Sequence, residues 1–517
     1  MPSNTERIRH LSFYQGNSFG EVDSIRLHSI KSLKTCTVAR FDGDKLLPHL
    51  LKFHSLRALD LKYIKEVPSS IGNLKYLRYL NFSSGDFEIL PESICQLWNL
   101  QILKLDHCYS LQYLPNSLTQ LKSLQHISLI GCYISSLPRQ IGKLTSLRTL
   151  SMYIVGNKRG FLLAELGQLN LKGELHIKHL ERVKSVTDAK EANMFSKHLS
   201  LLWLSWERTA ESQLQENVEQ ILEVLQPHIH HLQELRVEGY TGVHFPQWMS
   251  SPSLKNLHCV YIKDCQSCLH LPQLGKLPYL KELFISNVSR IIYLDEESYD
   301  GGAEGGFTEL EHLSLEKLPN LIRISREDRE NLFPHLSALV VIECPNLLGL
   351  PCLPSLNYIC IQGKCNQDLL SSIHKHGGLE SLCFYDNKEL TCFPDGMLRN
   401  LISLKLLMIW SCSEIEVLDE ALQHVTSLES LILSDLQNLK LLPASLGNLG
   451  FLHKLIISNC PKLTCLPMSI QSLTGLESLG IYSCSELEKR CEKETGEDWP
   501  KIAHVQNIEI RNTRLIF

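Results

Sequence analysis

An α/β fold is expected: a leucine-rich repeat solenoid (horseshoe) with a parallel β-sheet on the concave face and short helices or irregular turns on the convex face. Three observations point there. The phrase Leu-x-x-Leu-x-Leu recurs along the chain, from Leu56 to Leu61, Leu100 to Leu105, Leu147 to Met152, Leu280 to Ile285, Leu428 to Leu433, Leu452 to Ile457 and Leu476 to Ile481. With Ile, Val, Cys, Met and aromatic residues allowed for Leu there are about 21 copies, mostly 20 to 31 residues apart, which is the period of these repeats. A second phrase returns between the strands, as in Leu90-Pro91-Glu92-Ser93-Ile94 and Leu466-Pro467-Met468-Ser469-Ile470. Third, Cys108, Cys132, Cys265, Cys344, Cys412, Cys460 and Cys484 each follow their strand motif by three residues, at the slot for an inward-turned Asn or Cys.

Each element follows from the residue types. Within a strand, alternate side chains point to opposite faces, so the Leu positions fill a core and the residues between them face out. Proline fixes φ and donates no hydrogen bond, so it suits the turn leaving the strand and not the sheet. The apolar residues after it anchor a short helical or irregular return. Because each repeat touches only its neighbours, the 517 residues are read as one continuous array. Its divisions are 1–158, regular repeats; 159–231, irregular repeats with helical insertions; and 232–517, further repeats with an acidic, Gly-rich loop at 295–306. Helices are expected around 161–168 and 188–198. A further amphipathic one is expected within 208–231, with Leu214, Val218, Ile221, Leu222 and Leu225 on one face.

Bulk properties narrow the function. No stretch approaches the roughly 18 apolar residues that span a bilayer, and the first residues lack the apolar core of a secretory signal. The net charge of −5 is split: residues 1–200 hold 26 Lys and Arg against 16 Asp and Glu, and residues 201–517 hold 25 against 40. Two ends of opposite sign suit different partners. The basic residues are interspersed with acids and match no nucleic-acid module, so no nucleic acid is expected. The 18 cysteines are read as reduced core thiols. Cys265-Gln266-Ser267-Cys268 has zinc-ligand spacing, but no second pair supplies the four ligands of structural zinc.

Two candidate binding surfaces emerge. The residue between the last two apolar positions is polar in the early repeats (Asp60, Asn81, Lys104, Ser128, Ser151, Ser205) and apolar later: Val340, Cys360, Cys383, Met408, Ile432, Ile456. At a strand spacing of about 4.8 Å, these six later residues form a stripe of roughly 25 Å. Tyr385, Trp410 and Tyr482 lie at the next outward place. A continuous apolar band with aromatics is what a protein-binding patch requires. The second surface is basic: Arg57, Lys62, Arg78, Lys104 and Arg148 occupy outward slots of neighbouring strands.

Nothing points to catalysis. The Gly-Lys pairs at 142, 275 and 363 are followed by Leu, Leu and Cys, so the phosphate-binding Gly-Lys-Ser/Thr loop is absent. His228-Ile229-His230-His231 and His374-Lys375-His376 are read as surface histidines. No nucleophile motif occurs, and no cofactor is expected.

Family-specific phrases then add to this reading. Ile8-Arg9-His10-Leu11-Ser12-Phe13 looks like an opening repeat, and the segment from Leu163 to Trp206 contains Gly173-Glu174-Leu175-His176-Ile177, Leu180-Glu181-Arg182-Val183, Ala189-Lys190-Glu191-Ala192-Asn193 and Leu204-Ser205-Trp206. The phrase Gly496-Glu497-Asp498-Trp499-Pro500-Lys501-Ile502-Ala503-His504 looks like a terminal repeat. With these the chain resembles the leucine-rich repeat part of plant intracellular disease-resistance proteins of the coiled-coil, nucleotide-binding type. The resemblance implies recognition of a pathogen effector or a guarded host protein. It also implies autoinhibitory docking of the first repeats on a nucleotide-binding region, in cis or in trans, and a cytoplasmic location. The coiled-coil and nucleotide-binding regions have no counterpart in these residues, so ATP or ADP binding is carried to none of them. The rivals are an extracellular repeat receptor and an adaptor presenting substrates to another enzyme.

Overall fold

The leucines dictate the architecture by being buried in step. Leu59 and Leu61, Leu103 and Leu105, Leu431 and Leu433, and Leu455 and Ile457 are all fully enclosed, and each pair brackets one outward residue. Burying one such side chain is worth about 1.5–3 kcal/mol, and successive repeats stack these pairs into a continuous core.

The structure is a computed structural model that describes residues 8–13, 30, 32–38, 43–207, 217–295, 306–326, 332–418 and 420–511. It comprises two compact units, Met1–Thr241 and Gly242–Phe517. In the first, seven parallel strands follow chain order from His10–Phe13 through Thr35–Val38, Ala58–Leu61, Tyr79–Asn81, Ile102–Lys104 and His126–Ser128 to Thr149–Leu150. Four further parallel strands of this unit, Met152–Ile154, Lys172–Lys178, His198–Ser205 and Glu234–Glu238, pair with one another in chain order in a separate sheet. In the second unit eleven parallel strands run in chain order from Cys259–Lys263 to Asn507–Arg511, and a two-stranded sheet pairs Tyr293–Asp295 with Arg323–Ser325. Each unit is thus a leucine-rich repeat solenoid.

Many of the return segments are short 3-10 helices, and in several of them proline sets where they begin. Pro68, Pro91, Pro443 and Pro467 stand in extended backbone immediately before Ser69–Asn73, Glu92–Gln96, Ala444–Asn448 and Met468–Ser472. After many of the strands a residue with positive φ, such as Asp264, Lys317, Glu343 or Asn459, turns the chain. Its N–H still donates to the next repeat, Asp264 to the Ser286 carbonyl and Asn459 to that of Tyr482. A left-handed residue is costly for most side chains, and the added ladder bond offsets that cost where it forms.

The irregular stretch departs from expectation at its ends. A 3-10 helix occupies Leu163–Gln168, but the second helix is Val186–Glu191, starting where the Ser185 side chain accepts from the Thr187 N–H. Asn193, at φ 49°, ends it, and His198 already belongs to a strand. The inserted helix is Val218–Val224, with Ile221, Leu222 and Leu225 buried; Leu214 lies outside the described residues. Of the acidic loop, Asp295 closes a strand and 296–305 lie outside the described residues.

The family-specific phrases are internal braces. Glu181 is buried, and burial alone would raise its pKa. Hydrogen bonds from His179 Nδ1 (2.9 Å) and the Glu207 N–H (2.9 Å) outweigh burial and hold the carboxyl below its usual range. Arg182 donates to the Val155 carbonyl at 3.0 Å. Lys197 has no exposed surface; its ammonium donates to the carbonyls of Leu166 (2.8 Å) and Leu169 (3.1 Å), and burial lowers its pKa to about 8. In the second unit, Asp498 is fully buried. It accepts from the Leu466 N–H at 2.8 Å and faces Arg490 at 3.0 Å and Lys501 at 2.8 Å.

Candidate interaction surface

On the open face of the second unit, one residue per strand forms a row fixed by parallel pairing. It runs Tyr261, Phe284, Ser314, Val340, Cys360, Cys383, Met408, Ile432, Ile456, Gly480 and Glu509. The six residues named from the sequence are therefore consecutive. Sequence reasoning missed Tyr261 and Phe284, whose rings stack 4.2 Å apart at 3°, although the same slot in their repeats would have found them.

Exposure corrects the picture of an open stripe. Val340, Met408, Tyr385 and Trp410 are half-buried, but Cys360, Cys383, Ile432, Ile456 and Tyr482 are buried. They face away from the leucine core and are covered by one another. Ile432, Ile456 and Tyr482 form one cluster, with Leu406 and Met408 packed against it. Gly480 makes the space: a Cβ there would meet the Tyr482 ring at 2.5 Å. Strands about 4.8 Å apart leave little gap between large neighbours.

Beside this cluster stand two oriented aromatics. Trp410 and Tyr385 have ring centres 5.7 Å apart. Trp410 donates its indole N–H to Asp435 Oδ2 at 2.7 Å, and Asp435 also accepts from Ser434 Oγ at 3.1 Å and from Asn459 Nδ2. Tyr385 lies against the Met408 sulfur through its hydroxyl. Burial pushes the Cys383 thiol up to about 11, so it stays protonated.

In the first unit the open-face row reads Asp60, Asn81, Lys104, Ser128. Ser205 does not extend it. Trp203, between the buried Leu202 and Leu204, is the residue in line with Arg236 and, after a register shift between Leu199 and Leu201, with His176. The His176 and Trp203 rings stack at 3.8 Å, with the Arg236 guanidinium 5.3 Å from the indole centre.

The five predicted basic residues do not share one row. Lys104 is on the open face and Lys62 lies past a strand end, both half-buried. Arg57, Arg78 and Arg148 are exposed and belong to an edge row held by main-chain bonds: Lys34 donates to the Arg9 carbonyl, Arg57 to Lys34, Arg78 to Arg57, Gln101 to Arg78, Gln125 to Gln101, Arg148 to Gln125 and Lys172 to Arg148, all at 2.7–2.8 Å. Arg9, Lys34 and Lys172 are cations the sequence reading missed; the signal was the residue directly after the first leucine of each motif. Among the described residues none of these six cations forms an ion pair. Their field is felt by His126, whose pKa is lowered by burial and then by Lys172 and Arg148. The equivalent row of the second unit contains Lys281, Glu311, Glu380, Lys405, Glu429 and Glu477. There Lys281 pairs with Glu311 at 2.6 Å and Lys405 with Glu380 at 3.1 Å.

Metal-like groupings resolve into ordinary contacts. His179, Glu181 and Glu207 converge, yet each His179 nitrogen faces a different carboxylate (2.9 and 3.4 Å) and Arg182 stands 3.6 Å from Glu181, which is an ion-pair network. All 18 cysteines are free. Cys265 and Cys268 are buried, the Cys268 thiol donating to the Gly242 carbonyl at 3.3 Å. Cys108 and Cys132 donate to carbonyls of the preceding repeat at 3.2 and 2.9 Å, the structural role their slot implies. Among the described residues no helix is long and apolar enough to cross a membrane.

Comparison with known proteins agrees with this anatomy. Residues 163–288 match the family model described as R13L1/DRL21 LRRs. The disease resistance protein RGA2 of Solanum bulbocastanum is 44% identical over 96% of this chain and 50% of its own length. The putative disease resistance protein RGA4 of the same species is 40% identical over 90% of this chain and 47% of its own. The putative disease resistance RPP13-like protein 1 of Arabidopsis thaliana is 34% identical over 81% and 43%. The chain thus spans about half the length of these relatives. Among solved structures, the TLR13–ssRNA13 complex aligns over 98% of this chain and 82% of that one, at 17% identity and a TM-score of 0.48.

Proposed function

We infer the function of this chain from one premise: it belongs to the leucine-rich repeat regions of plant coiled-coil, nucleotide-binding disease resistance proteins, at about 40% identity over most of its length. It acts by binding protein and catalyses no reaction of its own. Its first unit docks on an acidic face of a nucleotide-binding region and holds that switch closed. Its second unit receives a pathogen effector or a guarded host protein on the open face around Val340, Tyr385, Met408 and Trp410. This work takes place inside the cell.

The observation that carries the docking half is the contrast between the two edge rows. Among the described residues, six cations of the first unit form no ion pair, whereas the second unit supplies its own acids to Lys281 and Lys405. Arrayed cations at strand spacing attract an acidic partner over about a Debye length, some 8–10 Å at physiological salt.

The test is co-expression of this chain with the nucleotide-binding half of a relative such as RGA2. Association is expected to weaken at 0.5 M salt and to fail when Arg57, Arg78 and Arg148 are replaced together by Glu. Undiminished association of that folded triple variant would remove the docking assignment. For recognition, partner capture that survives Trp410→Ala and Met408→Glu in a folded chain would move the receiving surface elsewhere.

A further inference from the structure

We propose that His198, His228 and His231 form a binding site for one divalent transition-metal ion on the first unit. The sequence places His228, His230 and His231 together but offers them no ligand from outside their own turn. The fold supplies it. His198 opens the strand His198–Ser205, in the repeat before that turn, and the stacking of repeats sets its ring among the others.

The centres of the three rings, though not their nitrogens, have the spacing of a metal tripod; among the described residues the ligand atoms that already lie within 4.8 Å of one another are those of His179, Glu181 and Glu207. The ring centres are 4.7 Å apart for His198 and His231, 5.2 Å for His228 and His231, and 5.5 Å for His198 and His228. A metal bonded head-on to imidazole lies about 2.0–2.1 Å from the nitrogen, hence roughly 3.2 Å from the ring centre. Three rings around a tetrahedral ion, or on one face of an octahedral one, then have centres about 4.5–5.3 Å apart. The observed triangle lies within a few tenths of an ångström of that range.

Access and chemistry agree with the spacing. His198 and His231 are exposed and His228 is half-buried, so an ion can enter and a water can complete its shell. Phe195 lies against the His228 ring at 5.3 Å and shields one side, as apolar groups do around metal sites. His228 Nδ1 accepts from the His230 N–H at 3.3 Å. That marks Nδ1 as the lone-pair nitrogen of the ring, and so long a bond is readily exchanged for a metal. The nitrogens of the unbound rings do not yet converge, so binding turns the exposed side chains about their own bonds. An all-imidazole set suits zinc, nickel, copper or cobalt and disfavours magnesium and calcium. Because the ligands come from successive repeats, the ion would tie them together and stabilise this unit by mass action.

Cobalt(II) titrated into the 517-residue chain near neutral pH is the probe. One equivalent should bind with visible d–d absorption and without the sulfur-to-cobalt charge-transfer band of a thiolate site. His198→Ala and His231→Ala should each weaken binding more than about 100-fold, since outer-shell losses alone cost 10–100-fold. Both side chains are exposed, and circular dichroism would verify that the variants fold. Glu207→Gln, in the ion-pair network beyond the other end of the strand His198–Ser205, should leave binding unchanged, and wild type alone should gain thermal stability with cobalt. No stoichiometric uptake, a thiolate band, or equal affinity in the folded histidine variants would overturn the proposal.

Discussion

Trp410 is held by Asp435: its indole N–H donates at 2.7 Å to a carboxylate that is itself nearly enclosed and also serves Ser434 and Asn459. The aromatic that leads the open face is therefore preorganised by the next repeat. Asp435→Asn keeps a residue tolerant of its positive φ but turns an amide N–H₂ towards one of the donors. A loss of about 1–3 kcal/mol is expected, with a shift in tryptophan fluorescence, read by denaturant titration and emission spectra. Unchanged stability and emission would show that the carboxylate does not hold the ring.

Met408 and Ile432 occupy neighbouring places of one row, yet only Met408 keeps appreciable exposure. Met408→Glu should therefore cost under about 1 kcal/mol, whereas Ile432→Glu buries a charge in the Tyr482 cluster and should cost several. Paired thermal melts decide it, and equal losses would mean that the cluster is not closed.

Gly480 leaves room for the Tyr482 ring. Gly480→Ala should cost about 1–3 kcal/mol by overpacking and loosen the Tyr482 hydroxyl from Glu509, which it reaches at 2.9 Å. Calorimetry of the variant beside Tyr482→Phe checks this, and a Gly480→Ala variant as stable as the parent would refute it.

Lys197 titrates in the folded chain near pH 8, below the roughly 10.4 of a free lysine. The unfolded chain then binds the extra proton between those values, so stability rises with pH across about 8 to 10.4 and is flat below it. Lys197→Met removes that slope, and denaturant midpoints measured against pH would reveal the difference.

His176 behaves oppositely in position but alike in sign. Burial first, then Lys178 and Arg236, lower its pKa to about 3. Stability should fall as pH drops from about 6.5 towards 3, because only the unfolded chain accepts the proton there. His176→Phe retains the stack on Trp203 and should flatten the acid limb by about one proton, which urea titrations at several pH values would measure.

The repeat pattern was legible because leucine spacing and slot cysteines report directly on which face is enclosed: Leu431 and Leu433 read as core and are core. What the pattern hid is lateral. Whether Ile432 is open depends on Ile456 and Tyr482 in later repeats, and a one-dimensional profile does not show that a glycine at 480 lets a ring fold back. Ser205 was misplaced because the buried residues Leu202, Leu204 and Trp206 offer two apolar pairs, and the aligned open-face residue, Trp203, lies within the first. The cation edge was half seen, since Arg57, Arg78 and Arg148 were sorted with Lys62 and Lys104 before main-chain bonding separated the rows.

The edge of cations in the first unit is spaced by peptide groups and not by its side chains, as Gln101 and Gln125 demonstrate by sitting among arginines without displacing them. Attraction along such a row is tuned in single steps. Exchanging one residue dims it by a fraction and leaves the remaining charges in place, so the pull of this edge on an acidic surface is graded residue by residue without any change to the backbone that spaces it.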